Sequence, residues 1–108
     1  MAVYVDDLKH YPTTSLREKT WCHMLADTSE ELDQVAAQIG LKASWKQHPS
    51  RPTEHYDLTP SKRAAAIRAG AIQKSSREIA RDLTLPRLRA LAAKEENGSA
   101  GGAAQSGA

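Results

Sequence analysis

Carboxylates end two short apolar segments of this sequence, and they are the first residues whose types could support chemistry. Asp6 and Asp7 follow residues 2–5, and Asp27 follows residues 21–26. If the two segments are neighbouring parallel strands, the acids converge at one edge of a sheet, where open α/β sheets place their sites. Clustered carboxylates bind hard divalent cations, so we predict a Mg²⁺ or Mn²⁺ site at Asp6, Asp7 and Asp27. Acids at these positions also serve as turn residues and helix caps, and the sequence leaves that alternative open.

His55 and Asp57 stand two positions apart in a short extended segment. Alternate residues of a strand point to the same face, so the imidazole and the carboxylate share one side. Beside a divalent ion, such a pair can ligate the metal or orient water for phosphoester hydrolysis. We therefore predict His55 and Asp57 as the catalytic residues of a metal-assisted hydrolase that acts on a nucleotide or nucleic acid.

The segment after this pair has the composition of a phosphate site. Thr59 and Pro60 start a helix, and Lys62 and Arg63 fall in its first turn, where cations oppose the helix dipole. A bound anion would offset this, since the helix start offers free N–H groups, the hydroxyls of Thr59 and Ser61, and two cations. The alternative is a solvated basic helix end. No glycine-rich phosphate loop occurs in the sequence, which excludes a nucleoside triphosphatase of the P-loop kind.

The charges are divided unevenly along the chain. Residues 1–57 contain nine acids, six bases and all four histidines, whereas residues 58–94 contain two acids and nine bases. The formal net charge is only +2 because these parts offset each other. Such asymmetry predicts an anionic partner, a nucleic acid or a nucleotide, although a solvated helical surface has the same composition.

Short strands must position these groups. Residues 2–5 and 21–26 are apolar, and residues 43–47 form a third candidate strand around Trp45. We expect Trp21 and Trp45 to lie in the core, because the chain contains no Phe to supply bulk. The order strand, strand, helix, strand and then helices predicts an α/β fold, with a small sheet of three or four short strands and about four helices packed on it.

Capping residues predict where the helices begin and end. Thr28 and Glu31 form a capping box ahead of an apolar pattern of helical period, and Gly40 ends it. Further helix starts are predicted at Thr59 and Ser75.

The chain divides into three predicted regions. Residues 1–72 form an α/β core, residues 73–96 a basic helical extension, and residues 97–108 a disordered tail of mainly Gly, Ser and Ala. No apolar run is long enough for a transmembrane helix, and the N-terminus lacks the pattern of a signal peptide. We therefore expect a cytoplasmic protein with no membrane partner. The single cysteine, Cys22, is expected to be a small buried residue.

Four blocks of residues resemble a family of small uncharacterised proteins, a domain of unknown function that is frequent in actinobacteria and their phages. The blocks are AVYVDD at 2–7, HMLADTSEELDQVAAQIGL at 23–41, Trp45 with Gln47, and HYDLTPSKRAAAIRAGA at 55–71. The resemblance covers about the first 72 residues. It implies a family but no reaction, because the family has no established activity.

Three functions of different class therefore remain. The first is the metal-assisted hydrolase, with Asp6, Asp7 and Asp27 holding the metal. The second is a module that binds nucleic acid or an anionic ligand without catalysis. The third is a small protein-interaction subunit. A shared ligand point for Asp6, Asp27 and Asp57 would favour the first.

Overall fold

The computed structural model describes residues 2–12 and 18–102. Its strands are β1 (Val3–Val5), β2 (Lys9–His10), β3 (Thr20–Ala26), β4 (Tyr56–Leu58) and β5 (Ile72–Gln73). Its helices are α1 (Ser29–Gln38), α2 (Pro60–Arg68), α3 (Ser76–Ile79) and α4 (Leu85–Gly102), with a 3₁₀ turn at Ala43–Trp45 and a π-helical stretch at Ala80–Thr84. The described chain is thus a mixed α/β protein.

The sheet is organised around β3, its longest strand. β1 and β4 both pair antiparallel with β3, and β2 pairs with its first residues. β5 lies on the far side of β1 and runs parallel to it. Each helix between β3 and β5 returns the chain to the sheet, so strands distant in sequence become neighbours.

The two faces of the sheet differ in chemistry. Met24 pairs with Tyr56 and Cys22 pairs with Leu58, and all four side chains are buried in the core that also holds Leu32 of α1. The alternate residues of the same strands point to the opposite face. That face contains the neighbouring pair His23 and Asp57. One face therefore builds the core, and the other presents polar groups.

The predicted helix starts are confirmed. Thr28 accepts a hydrogen bond from the backbone N–H of Glu31, Thr59 accepts one from that of Lys62, and Ser75 forms a complete capping box. Gly40 follows α1 with a φ of 86°, a conformation that favours glycine. The local sequence signals are sufficient here because a cap depends on residues three positions apart.

The interpretation of residues 43–47 as a strand is wrong. Ala43–Trp45 form the 3₁₀ turn, and among residues 43–47 only Gln47 makes a β-bridge, to His55. Trp45 is 49% exposed, and Trp21 is partly exposed and outside the buried core, so neither is the core residue that we predicted. The segment has no second large apolar side chain to alternate with Trp45, and therefore no face to bury.

The segment after residue 72 packs on the sheet. Val5 of β1 pairs with Gln73, and the Arg87 guanidinium donates to the carbonyl oxygens of Ala26 and Asp27. The helical elements from α3 through the π-helical stretch to α4 follow one another directly, so the described residues form five strands and three helical bodies. We predicted three or four strands and about four helices.

α4 continues to Gly102, inside the predicted disordered tail; the rest of that tail, residues 103–108, lies outside the described residues. No helix in the described part of the chain has the length and apolar character needed to cross a membrane.

Leu32 provides a test of the core. Its side chain is fully buried, so Leu32→Ala should lower the free energy of unfolding by about 2–5 kcal/mol through lost burial and a residual cavity. Leu88, on α4, is 41% exposed, and Leu88→Ala should change the free energy by no more than about 0.5 kcal/mol. Urea unfolding followed by circular dichroism measures both. Equal losses would show that the buried face of α1 is assigned wrongly.

Candidate functional site

The site begins where β1 ends, at Asp6. The Asp6 backbone N–H donates to the carbonyl oxygen of His23 at 3.1 Å, as in a regular antiparallel ladder. The return bond does not go to the Asp6 carbonyl, because the His23 N–H donates to the Asp6 side-chain oxygen Oδ1 at 2.6 Å. The Asp6 carbonyl instead accepts a hydrogen bond from Arg63 Nε at 2.8 Å. A carboxylate has thus replaced a backbone acceptor in the sheet.

The second oxygen of the Asp6 carboxylate binds two more groups. Oδ2 lies 2.8 Å from His23 Nδ1 and accepts a hydrogen bond from Ser76 Oγ at 2.9 Å. The side chain is 4% exposed. Burial by itself raises the pKa of Asp6, but the hydrogen bonds from His23 and Ser76 outweigh it and leave the pKa below its usual value. Asp6 is therefore ionised, and it connects β1, β3 and α3.

The Asp6 contact determines the tautomer of His23. An ionised carboxylate only accepts hydrogen bonds, so His23 Nδ1 must bear the proton that faces Asp6. In the neutral ring, Nε2 is then left with a free lone pair. This Nε2 lies 3.9 Å from Asp57 Oδ1 on the neighbouring strand β4. His23 thus points its basic nitrogen at a carboxylate.

His55 is oriented in the same way by a different acceptor. Its Nδ1 lies 2.8 Å from the carbonyl oxygen of Thr53, which can only accept, so Nδ1 again bears a proton. Its Nε2 lies 3.3 Å from Asp57 Oδ1. The hydrogen bond between the two side chains raises the pKa of His55 against the effect of burial, and it lowers the pKa of Asp57. Both imidazoles therefore approach the same carboxylate oxygen through Nε2.

A buried glutamate holds the backbone that orients His55. Glu54 accepts hydrogen bonds from Ser29 Oγ at 3.0 Å and from the Ser50 N–H at 3.2 Å, and it forms an ion pair with Lys46. The loop before β4 is thereby fixed to the start of α1. This anchoring fixes the position of the Thr53 carbonyl, and the carbonyl in turn orients the His55 ring.

His23, His55 and Asp57, hereafter the His-His-Asp cluster, form a set of possible metal ligands. One ligand atom from each residue lies within 4.8 Å of the other two. The two imidazole rings meet edge to face, with centroids 5.1 Å apart. Side-chain exposure of 38% at His23 and 43% at Asp57 leaves one side open to solvent. Two imidazoles with one carboxylate suit Zn²⁺, Fe²⁺ or Mn²⁺ better than Mg²⁺.

The structure does not bring the three predicted metal ligands together. β1 and β3 are antiparallel, so Asp6 and Asp27 lie at opposite ends of the paired strands. The Asp27 carboxylate accepts hydrogen bonds from the Ala2 N–H at 2.7 Å and the Tyr4 hydroxyl at 3.0 Å. Asp7 is exposed and outside the His-His-Asp cluster. Of the three acids, only Asp6 contacts the cluster, through its hydrogen bonds to His23.

The predicted phosphate-binding residues are used largely by the fold. Thr59 caps α2, with Ser61 Oγ 3.3 Å from its hydroxyl. Lys62 Nζ donates to the carbonyl oxygen of Ile39 at 2.7 Å. Arg63 donates to the Asp6 carbonyl and to Gln73 Oε1. The two cations thus point to different carbonyl groups instead of one shared anion position.

Two open cavities flank the His-His-Asp cluster. One, of about 280 Å³, is lined by His23 and His55 together with Lys9. The other, of about 540 Å³, has Asp57 in its wall beside Lys62 and the two tryptophans. The first cavity therefore borders the two imidazoles, and the second borders the carboxylate that lies 3.3 Å from His55 and 3.9 Å from His23.

Sequence reasoning missed His23 and Ser76. His23 is the one polar side chain in the segment WCHMLA, and that interruption of an apolar strand was the available signal. Its neighbour Cys22 is buried on the opposite face, as we predicted, and burial raises its thiol pKa to about 12. Cys22 is therefore inert, whereas His23 belongs to the site.

Asp6→Asn tests the central contact. An amide cannot accept hydrogen bonds from all three donors, so we expect a loss of about 1–3 kcal/mol in the free energy of unfolding. The His23 ring should also shift toward the tautomer with its proton on Nε2, which nitrogen chemical shifts report by NMR. The matched control Asp7→Asn alters an exposed acid next in the sequence. If both variants unfold at the same urea concentration, Asp6 does not organise the site.

The comparisons with known proteins identify a family whose function is unknown. A family model described as "Protein of unknown function (DUF4031)" matches residues 3–94. No curated protein and no solved structure matches the chain. The matched stretch extends past residue 72 and includes Ser76 and Arg87, whose side chains bind the sheet. Since the match spans most of the sequence, the chain belongs to the DUF4031 family of proteins of unknown function.

Proposed function

We propose that the protein binds one divalent transition-metal ion through His23 Nε2, His55 Nε2 and the Asp57 carboxylate, and that it hydrolyses a phosphate ester there. One observation supports the metal site above all others. Both imidazoles have Nδ1 anchored to an acceptor, and both direct Nε2 at the same oxygen of Asp57.

The anchors are those that metal-binding histidines use. A ligating histidine almost always donates its other N–H to a carboxylate or a backbone carbonyl, which fixes the ring and increases its basicity. Asp6 supplies the carboxylate for His23, and the Thr53 carbonyl serves His55. A simple ion pair with Asp57 needs only one imidazole. The second oriented imidazole therefore supports a metal site over a salt bridge.

The surroundings support hydrolysis of an anionic ester. Three protein ligands leave coordination positions for water and substrate, as in catalytic zinc sites. A bound divalent ion supplies a Lewis acid that activates water and offsets charge on a phosphoryl group. Lys9 and Lys62 stand at the cavities on either side of the cluster and attract a phosphate. Asp6 and Thr53 keep the two imidazoles in place during the reaction.

Metal binding is the first test. Zn²⁺ or Mn²⁺ should raise the melting temperature of the intact chain, since an ion at 100 times its Kd stabilises the folded state by about 2.7 kcal/mol. His23→Gln, His55→Gln and Asp57→Asn should each weaken affinity by more than the roughly 10–100-fold expected for loss of an outer partner such as Asp6. Calorimetric titration measures these affinities.

His10→Gln is the matched control for metal binding. His10 is an exposed histidine whose ring lies 3.3 Å from Thr20 Oγ1, and its strand position places it on the face opposite Lys9. Its replacement should leave affinity unchanged. A metal affinity equal in the wild type and in His55→Gln would remove the metal site, and the hydrolase proposal with it.

Hydrolysis is the second test. The metal-loaded protein should release p-nitrophenol from p-nitrophenyl phosphate or its bis ester, and Asp57→Asn should reduce kcat/KM by at least about 100-fold. Lys9→Met and Lys62→Met should raise KM more than they lower kcat, since these cations bind the substrate's charge. A protein that binds zinc but leaves both esters intact would retain the metal site and refute the phosphoesterase.

A further inference from the structure

The larger cavity beside the His-His-Asp cluster has an aromatic lining. The chain has two tryptophans, and both Trp21 and Trp45 line this cavity. Trp21 is fixed by a hydrogen bond from Nε1 to the Glu18 carbonyl at 2.8 Å, and Trp45 is 49% exposed. In a chain without Phe, both of its largest aromatic side chains therefore face one surface cavity. That placement favours a flat, apolar ligand group.

A cation lies in the same cavity wall. Lys62 Nζ donates to the Ile39 carbonyl, and no carboxylate among the described side chains, those of residues 2–12 and 18–95, pairs with it. A Cβ placed on Gly40 would approach Nζ to 3.1 Å, so the ammonium is packed closely against the end of α1. An ammonium has three protons, and only one is used by the carbonyl. Lys62 therefore holds a fixed positive charge with donors left for an anion.

The third feature is the position of Asp57. It lines the aromatic cavity and also belongs to the His-His-Asp cluster. The cavity thus offers tryptophan side chains to an apolar group and Lys62, beside the cluster, to a charged one. The volume of about 540 Å³ is in the range of sites that enclose one small molecule.

We infer that this cavity binds a nucleotide. The nucleobase lies against Trp21 and Trp45, and the phosphate group lies between Lys62 and the proposed metal site at Asp57. The inference rests on the proposed function and specifies its substrate class. Nucleobases stack on aromatic side chains with little sequence preference, and the cavity lining provides two indole rings for such stacking. The same base-and-phosphate unit occurs as a free mononucleotide and as the terminal nucleotide of a strand.

Binding of a non-hydrolysable 5′-phosphonate analogue of adenosine monophosphate tests the inference by calorimetry on the zinc-loaded chain. It should bind at least about tenfold more tightly than ribose 5-phosphate and than adenosine. Trp45→Ala should abolish the preference over ribose 5-phosphate, and Trp45→Phe should restore part of it. Lys62→Met should reduce the affinity toward that of adenosine. Arg68→Gln, which removes an exposed cation from the same helix, should have no effect.

The outcomes separate this inference from the proposed function. The nucleotide inference would be overturned if the analogue and ribose 5-phosphate bind with equal affinity, even if zinc binds and esters are cleaved. It would also be overturned if Trp45→Ala weakens the binding of both ligands by the same factor. A base preference that persists without any zinc binding would support the aromatic cavity and refute the metal site. A 5′-phosphorylated dinucleotide identifies the source: tighter binding than the mononucleotide indicates a strand end, and weaker binding indicates the free nucleotide.

Discussion

The buried Asp6 carboxylate is the interaction on which the rest of the structure depends. A charge removed from water is strongly unfavourable unless hydrogen bonds compensate for it. Asp6 receives three, from the backbone and ring of His23 and from Ser76, and Arg63 binds its carbonyl. These partners come from β3, α3 and α2. The compensation for one buried charge therefore fixes the relative positions of distant parts of the chain.

This arrangement also explains why the sheet can have one polar face. The apolar face, covered by α1 and α2, supplies the core, with Met24, Leu32 and Tyr56 among its largest members. The opposite face receives Ser76 and the buried Ile79 from α3. Because α3 covers part of this face, His23 and His55 are partly shielded without being enclosed. The two imidazole rings are therefore held in fixed orientations beside an open cavity.

Local patterns predicted much of the fold, and non-local pairing explains what they missed. The caps at Thr28, Thr59 and Ser75 were predictable because each depends on a few consecutive residues. The shared face of His55 and Asp57 followed from the two-residue period of a strand. The direction of β3 relative to β1 is set by the path of the whole chain. No local signal encodes it, and it decides that Asp6 meets His23 whereas Asp27 does not.

The uneven charge distribution has a structural origin. Arg63 and Arg87, from the basic part, donate to backbone carbonyls at opposite ends of β1 and β3, whose sequence lies in the acidic part. Lys74 and Arg81 both pair with Asp82. Arginine suits the first role because its planar group reaches several carbonyl oxygens at once. Two of the nine bases in residues 58–94 thus join helices to the sheet, and two more pair with an acid of the same region. Lys9 and Lys62 line the two cavities, so the uneven charge distribution serves the fold as well as the site at which we propose that a phosphate group binds.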